Sequence, residues 1–237
     1  MDNLRYDEEL EELIKLKKLK WLPWVGEKYA THENKILFIG ESHYAKDPED
    51  RRTYECKGKT REIVRNMGVI GHKADGDTYD SKFFVNTHNL IFGKNGLEKN
   101  QDFYDNIAFY NFVQEPMDGK NGRPNQNHME TGRDNFLELL KVLKPSMCIF
   151  LGFGAYKAIN NSKLGLVKEM EWSEKIGRGR RSSRGRFGSI QTPHGHIIKL
   201  IFVKHPSSYF SWSSWNEYLF KKIPDQMNWF KGLASAN

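Results

Sequence analysis

Two polar motifs follow apolar runs that have the pattern of buried strands. Gly40-Glu41-Ser42-His43-Tyr44 comes after the first run, and His205-Pro206-Ser207-Ser208 comes after the last one. In an open α/β sheet, ligands bind beyond the carboxyl ends of parallel strands, so the two motifs can converge on one site. A carboxylate, a hydroxyl and an imidazole gathered there can orient water and stabilise developing charge. The spacing therefore makes Glu41, Ser42 and His205 candidate catalytic residues.

The strands that must carry these motifs are short apolar runs. We expect four of them, at residues 35–39, 107–113, 147–151 and 197–203. An amphipathic helix around residues 136–143 precedes Pro145 and the third strand. Strands separated by helical segments favour right-handed crossovers. We therefore predict an α/β fold of three αβα layers, doubly wound around a central four-stranded parallel sheet.

The length of 237 residues, 38% of them hydrophobic, is enough for one substantial core. We expect one domain over residues 1–237. Residues 1–30 should contain a covering helix, because leucines recur at helical spacing among charges between Asp7 and Lys20. Residues 45–80 are charged and rich in turn formers, which is typical of an insertion that lines or covers a site.

Charge and cysteine content narrow the functional class. The formal net charge of +7 favours a polyanionic partner such as nucleic acid. Cys56 and Cys148 are the only cysteines, which suits a reducing compartment and excludes a four-thiolate iron–sulfur cluster. No apolar run approaches the roughly 20 residues of a membrane span, and the acidic start at Asp2 is unlike a signal peptide. We expect a cytoplasmic protein that does not bind membranes.

One segment, residues 175–188, combines glycine, serine and arginine. We expect a mobile basic loop that neutralises DNA phosphates, with an affinity that falls steeply with salt. An exposed flexible linker is the alternative interpretation. The arginines of this candidate DNA contact are Arg178, Arg180, Arg181, Arg184 and Arg186.

A second candidate nucleic-acid contact follows His205 directly. Ser207 and Ser208 can bind phosphate, and the aromatic residues Tyr209 and Phe210 come next. Trp215, further along, fits better as a residue that seats the last helix on the sheet.

The order and spacing of these motifs resemble the uracil-DNA glycosylase superfamily, over about residues 24–212. The stretch from Gly40 to Tyr44 resembles the family's first motif, and His205-Pro206-Ser207 resembles its second. Two segments between these motifs also have counterparts in the family. One is the strand that ends at Asn111, and the other is residues 144–152, where Lys-Pro is followed by a strand and Leu-Gly. Phe84-Val85 resembles, less closely, the segment whose aromatic ring stacks on the extruded base.

The resemblance implies a role for each matched residue. Glu41, with Ser42, would hold the water or stabilise the sugar cation, and His205 would contact the base carbonyl. Asn111 would read the hydrogen-bonding edge of a pyrimidine, because its amide offers both a donor and an acceptor. Tyr44 would crowd the C5 edge of the base, and Phe84 would either stack on it or belong to the core. Because the base must leave the stack, Tyr209 and Phe210 are the candidates for an aromatic wedge that fills the gap in the duplex. The family needs no metal or cofactor for this chemistry.

The first motif departs from the family patterns. In the uracil branch, Ser42 stands where the water-activating aspartate is found and His43 stands where proline is found. Another branch has an acidic residue at the position of Glu41, but it also carries cluster cysteines that this sequence lacks. Glu41 is the only carboxylate in the motif, so it is the favoured catalytic group. Its alternative is a helix cap, and the alternative for His205 is a turn residue. His43 and Glu41 together are only a weak indication of a metal-binding site.

We therefore expect a monofunctional, monomeric DNA glycosylase that hydrolyses the bond between deoxyribose and an extruded uracil-type or modified pyrimidine, leaving an abasic site. One alternative substrate is a C5-glucosylated cytosine of phage DNA, which would make the enzyme antiviral. A second alternative is a catalytically silent DNA-binding relative. A metal-dependent phosphate-ester hydrolase is a third and weaker hypothesis.

Overall fold

The computed structural model describes residues 6–71, 81–93, 100–119, 122–160, 165–177, 179, 182–192, 195–207 and 209–235, without the side chains of residues 165–169 and 235. The strands in this part of the chain are β1 (Trp24–Val25), β2 (Ile36–Gly40), β3 (Tyr44–Ala45), β4 (Ala108–Asn111), β5 (Met117–Asp118), β6 (Met147–Leu151), β7 (Gly165–Ile176), β8 (Ser183–Gln191) and β9 (Ile197–Val203). The α-helices are α1 (Asp7–Lys15), α2 (Pro48–Thr53), α3 (Lys59–Ile63), α4 (Lys82–Phe92), α5 (Asn100–Asp105), α6 (Gln126–Leu143), α7 (Tyr156–Asn160), α8 (Trp212–Lys222) and α9 (Pro224–Ser235).

The main sheet has seven strands in the order β1-β4-β2-β6-β9-β8-β7. Its centre, β4-β2-β6-β9, is parallel and consists of the four predicted strands. The predicted mixed α/β architecture is therefore confirmed, but the count of four strands is too low for the whole sheet. β1 adds an antiparallel edge next to β4, and the β7–β8 hairpin adds two antiparallel strands next to β9.

The central strands are continuous apolar runs because helices cover both faces of the sheet. Every residue of β2, β4 and β6 is buried. Alternate residues enter two different cores: Leu37 and Ile39 pack toward α1 and α6, whereas Ile36 and Phe38 pack toward α4, α8 and α9. Of the candidate base-binding residues, Phe84 belongs to the second core and Tyr44 packs against the first.

The prediction of a mobile loop over residues 175–188 is wrong for most of that segment. Its first residues end β7 and residues 183–188 belong to β8, which pairs with β9. The glycines that indicated flexibility serve close packing instead. A Cβ at Gly185 would lie 2.4 Å from the ring of Tyr218, and one at Gly188 would lie 2.6 Å from the Met170 sulfur.

The N-terminal covering helix is present but shorter than expected. α1 ends at Lys15, and Lys17 takes a left-handed conformation with φ 55°. The segment from Ala45 to Gly71 contains α2, α3 and a π-helical turn at Val64–Val69, so the described part of the predicted insertion is largely helical. No helix in the described ranges is long and apolar enough to cross a membrane.

Candidate active site

The four parallel strands end at a common edge, and each delivers one part of the site. Gly40 of β2 pairs in register with Asn111 of β4. On the other side, Leu151 of β6 pairs with Val203 of β9, two residues before His205. The two sequence motifs therefore meet across the sheet, as the topology predicts.

Glu41 is held by a tyrosine of its own motif. The Tyr44 hydroxyl donates a hydrogen bond of 2.6 Å to Glu41 Oε2. Burial, reinforced by the Glu41 carboxylate, raises the pKa of Tyr44, so its phenol stays protonated and remains a donor. Arg123 Nη1 donates to the Tyr44 hydroxyl at 3.4 Å, and the Arg123 guanidinium lies 5.6 Å from the Tyr44 ring centre. Glu41 thus has a fixed orientation beside a cation.

A small cavity adjoins the Glu41 carboxylate. It offers ≈ 10 Å³ to the centre of a water-sized molecule, which is about the space that one ordered water needs. Gly154 lies against the carboxylate, since a Cβ there would be 2.7 Å from Glu41 Oε1. The residues that line the cavity include Gly40, Glu41, Met129, Phe150, Gly152, Gly154 and Ala155.

Ser42 is directed elsewhere. Its hydroxyl donates to the Glu115 carbonyl oxygen at 2.6 Å and is 3.1 Å from the His43 carbonyl oxygen. A hydroxyl has one proton, so this donor is committed to the backbone. Ser42 also does not line the cavity beside Glu41. Of the two residues, only Glu41 lines the cavity, and the Ser42 hydroxyl points away from it.

His205 sits across the sheet from Asn111, on the face of the second core. Gly152 passes behind it in a conformation that favours glycine, with φ 144°, and a Cβ there would lie 3.7 Å from His205 Cδ2. Burial lowers the pKa of His205; the Glu41 charge opposes this effect and Arg123 reinforces it. His205 is therefore a neutral imidazole near pH 7, and such a ring has one N–H to donate.

The ring that faces His205 belongs to Phe83. Its centre lies 5.3 Å from that of His205 and 6.1 Å from that of Phe109, so it bridges the two sides of the site. Phe84, the sequence candidate, is only 7% exposed and packs in the core. Of the two expectations for Phe84, the core position is the one observed, and Phe83 is the neighbouring ring that lies beside His205. The burial of Phe84, Thr87, Leu90 and Ile91 on α4 follows helical spacing, which was the available signal.

Asn111 is buried, with 3% of its surface exposed. Its side chain reaches over β2, where a Cβ on Gly40 would lie 2.2 Å from Asn111 Oδ1. Gly40 is therefore needed for the close approach of the amide. The amide nitrogen faces His43, at 3.2 Å from Nδ1 and 3.1 Å from Nε2. Gln114 Nε2 donates to the Asn111 carbonyl oxygen at 2.7 Å and holds the strand end.

Arg123 is a site residue that the sequence analysis missed. It lies in the segment between β5 and α6, and its charge acts on His205 as well as on Tyr44. An arginine between Gly122 and Pro124, just before the helix start, was the only signal in the sequence.

The two wedge candidates in the segment after His205 differ in their exposure. Tyr209 is 68% exposed and has a left-handed backbone with φ 62°, while Lys204 Nζ donates to its carbonyl oxygen at 3.2 Å. Phe210 is 9% exposed and lies parallel to Trp215, with ring centres 6.3 Å apart. Phe210 is therefore a core residue and only Tyr209 retains the expected exposure. Ser207 is exposed, and Ser208 lies outside the described residues.

The arginines predicted to contact DNA differ in their surroundings. Arg184 is exposed on β8. Arg186 packs its guanidinium 4.3 Å from the ring centres of Phe153, Tyr156 and Trp172, which ties the hairpin to the segment after β6. Its expected place in a phosphate-binding loop is corrected by this packing. Arg178, Arg180 and Arg181 lie outside the described residues.

No three His, Cys, Asp or Glu side chains in the described ranges cluster in a way that could hold a metal ion. This edge of the sheet brings together a carboxylate held by a phenol, a neutral imidazole, and a buried amide.

Comparison with known proteins agrees with this geometry. A search of curated proteins finds none that matches the chain. The family model of the Uracil DNA glycosylase superfamily, whose members generally are DNA glycosylases, matches residues 27–226. That span contains both motifs, all four parallel strands and the intervening helices. The chain belongs to the uracil DNA glycosylase superfamily.

Proposed function

We propose that the protein is a monofunctional DNA glycosylase that removes an extruded pyrimidine from DNA and leaves an abasic site. The observation that carries the proposal is the convergence of Glu41, fixed by Tyr44 at 2.6 Å, and His205 at the ends of β2 and β9. In this arrangement an anion faces the sugar and an N–H donor faces the departing base.

The reaction needs both groups at once. As the bond between sugar C1′ and the base nitrogen breaks, its electron pair leaves with the base and C1′ becomes cationic. Glu41 stabilises the cation and orients a water, whose oxygen then bonds to C1′ and whose proton leaves to solvent. His205 donates its N–H to the base oxygen, where negative charge develops. Since His205 is neutral, it acts as a hydrogen-bond donor and carries no charge of its own.

The base site is proposed at this edge of the sheet, between Asn111 at the end of β4 and His205 after β9. Phe83 supplies the stacking face, and Asn111 reads the hydrogen-bonding edge of the base. Tyr44 has a second role beside its contact with Glu41, since its ring can limit the space at the C5 edge. These assignments follow the superfamily resemblance, with Phe83 in place of Phe84.

The DNA contacts are proposed around Tyr209. An exposed aromatic side chain four residues after His205 is placed to fill the gap in the stack. Ser207 and Arg184 are exposed and available for phosphate contacts, and the net charge of +7 supports a polyanionic partner. We propose that the enzyme acts as a monomer in the cytoplasm, in keeping with its two cysteines.

Uracil is the simplest substrate, and a C5-modified cytosine of phage DNA is the alternative that would give the enzyme a defence role. The test is incubation of the purified protein, in EDTA, with oligonucleotides that contain uracil, cytosine, 5-hydroxymethyluracil or 5-hydroxymethylcytosine, and with glucosylated phage DNA. Released bases are identified by mass spectrometry, and abasic sites by alkaline cleavage. We expect release of one free base with EDTA present. Intact strands with DNA binding retained would instead support a silent binding protein, and activity that EDTA abolishes would support a metal-dependent hydrolase.

A further inference from the structure

The loop between β6 and α7, residues 152–155, touches both candidate catalytic groups. A Cβ on Gly154 would lie 2.7 Å from Glu41 Oε1, and one on Gly152 would lie 3.7 Å from His205 Cδ2. The loop therefore lies against the carboxylate on one side and against the imidazole on the other. A displacement of this β6–α7 loop changes the space between the two groups.

The β6–α7 loop has little of its own to hold it in place. Two of its four residues are glycines, which restrict the backbone least. Phe153 is its only large side chain, and the Phe153 carbonyl oxygen accepts a hydrogen bond of 3.2 Å from the Tyr156 N–H. The position of the loop therefore depends on what packs against Phe153 and Tyr156.

Arg186 of β8 packs against both of these rings. Its guanidinium carbon lies 4.3 Å from the ring centres of Phe153 and Tyr156, and 4.3 Å from that of Trp172 on β7. The backbone register brings it there, because Arg186 pairs with Phe202 of β9 on one side and with Trp172 on the other. The rings of Phe153, Tyr156 and Trp172 thus form an aromatic cage around the guanidinium.

The aromatic cage is what stabilises Arg186 in this position. Its Nε and Nη1 are buried and have no hydrogen-bond partner in the described part of the chain. Burial lowers the pKa of Arg186, but a guanidinium stays protonated in proteins, so the cage holds a cation. A desolvated cation is attracted to the faces of aromatic rings, and a flat guanidinium also stacks on them. Arg186 therefore holds Phe153 and Tyr156 against the β7–β8 hairpin.

We propose that Arg186 is a positioning residue that fixes the β6–α7 loop and thereby keeps Glu41 and His205 at the separation that base release requires. This inference rests on the proposed function and deepens it. Arg186 acts through the loop and needs no contact with the base or the sugar. The β7–β8 hairpin, at the edge of the sheet beside β9, thus has a part in catalysis.

The position of the loop can be measured without any assay of activity. Hydrogen–deuterium exchange is followed in peptides that cover residues 152–156, in the wild type and in Arg186→Met. Methionine keeps an apolar chain in the cage and removes the charge. We expect exchange in these residues to become about tenfold faster, which corresponds to about 1.4 kcal/mol.

The matched control is Lys222→Met. Lys222 Nζ lies 5.6 Å from the ring centre of Phe187 on β8 and 3.3 Å from a Glu171 carboxylate oxygen on β7. The variant therefore removes a cation that joins α8 to the same hairpin, but one that does not contact Phe153 or Tyr156. We expect its exchange at residues 152–156 to stay as in the wild type.

The effect on catalysis is tested by the single-turnover rate of base release and by DNA affinity, on the substrate that the panel identifies. We expect Arg186→Met to lose about tenfold or more in rate and to keep its DNA affinity within about threefold. Arg186→Lys keeps the cation without the flat stacking surface, so its rate should lie between those of Arg186→Met and the wild type. Lys222→Met should match the wild type.

A second variant reaches the aromatic cage from the surface. Trp172 is 52% exposed, so Trp172→Leu leaves the core intact and tests the proposal even where Arg186→Met does not fold. We expect faster exchange at residues 152–156 and a lower rate of base release. Because both residues act through one cage, Trp172→Leu should slow Arg186→Met no further.

Three results would overturn the proposal. Unchanged exchange at residues 152–156 in Arg186→Met would show that the loop keeps its position without the cation. Faster exchange across the whole chain, in Arg186→Met and Lys222→Met alike, would show that Arg186 is merely structural. A fall in DNA affinity that matches the fall in rate, with a weaker salt dependence, would show that Arg186 binds phosphate.

Failure of the proposed function gives a different result. If the wild type releases no base from any substrate of the panel, the link between Arg186 and base release fails with that function. Exchange at residues 152–156 then still decides whether Arg186 positions the loop, because this measurement needs no substrate.

Discussion

The hydroxyl of Tyr44 offers a sharp test of how the site works, because Tyr44→Phe removes that hydroxyl and leaves the ring in place. If Tyr44 acts only by crowding the base, the variant should keep full activity. If it also holds Glu41, as the 2.6 Å hydrogen bond indicates, the carboxylate loses its donor and the rate of base release should fall.

The size of the effect follows from the type of bond. Hydrogen bonds to charged groups contribute about 1.5–3 kcal/mol, which corresponds to a loss of about 10- to 150-fold in rate when the bond is needed in the transition state. The loss should appear in the single-turnover rate and not in DNA affinity. It should also be independent of pH across the neutral range, because burial keeps the Tyr44 phenol protonated there.

A matched control is Tyr29→Phe. Tyr29 is a fully buried tyrosine whose hydroxyl donates to the Leu143 carbonyl oxygen at 3.3 Å, in the core between α1 and α6. This variant should lose stability and keep its single-turnover rate. Equal rates for Tyr44→Phe and the wild type would refute the role given to the hydroxyl.

Three further predictions concern packing, DNA binding and pH. Gly40→Ala should displace Asn111, whose Oδ1 would lie 2.2 Å from the new Cβ; we expect a loss of about 1–3 kcal/mol in chemical denaturation and of base selectivity. Tyr209→Ala should slow excision from duplex more than from single-stranded DNA in paired single-turnover assays, while Leu16→Ala, which removes another exposed apolar side chain, should change neither. Burial lowers the pKa of His88 to about 4, so below pH 6.5 the unfolded chain binds a proton more readily than the folded protein. The free energy of unfolding therefore falls as the pH drops, by about 1.4 kcal/mol at pH 5.5 from this residue. His88→Asn should flatten the pH dependence of thermal unfolding.

The parallel sheet was predictable because each of its strands is an apolar run that ends at a motif. Buried strands need little besides hydrophobic residues, so the run from Met147 to Leu151 is identified with both its ends. β8 was not predictable in the same way. Its glycines and arginines are typical of a loop, and it takes strand structure through its pairing with β7 and β9 and the packing of Tyr218 on Gly185.

The site was predictable at the level of motifs but not of individual side-chain directions. Glu41, His205 and Asn111 follow strand ends, and strand order brings them together. The direction of Ser42 depends on the Glu115 carbonyl oxygen, a backbone atom 73 positions away that no local pattern reveals. Helical spacing indicates that Phe84 is on the buried side of α4, but the position of Phe83 beside His205 depends on the tertiary packing.

The central claim is that Glu41 and His205 perform glycosidic hydrolysis. The most direct measurement compares the single-turnover rate of base release for the wild type, Glu41→Gln and His205→Gln on the substrate that the panel identifies. Glu49→Gln serves as the control, because Glu49 is an exposed carboxylate on α2. We predict losses of roughly 100- to 1000-fold for each site variant, with DNA affinity retained and Glu49→Gln unchanged. Base release at the wild-type rate by Glu41→Gln and His205→Gln would contradict the assignment of this edge of the sheet as the active site.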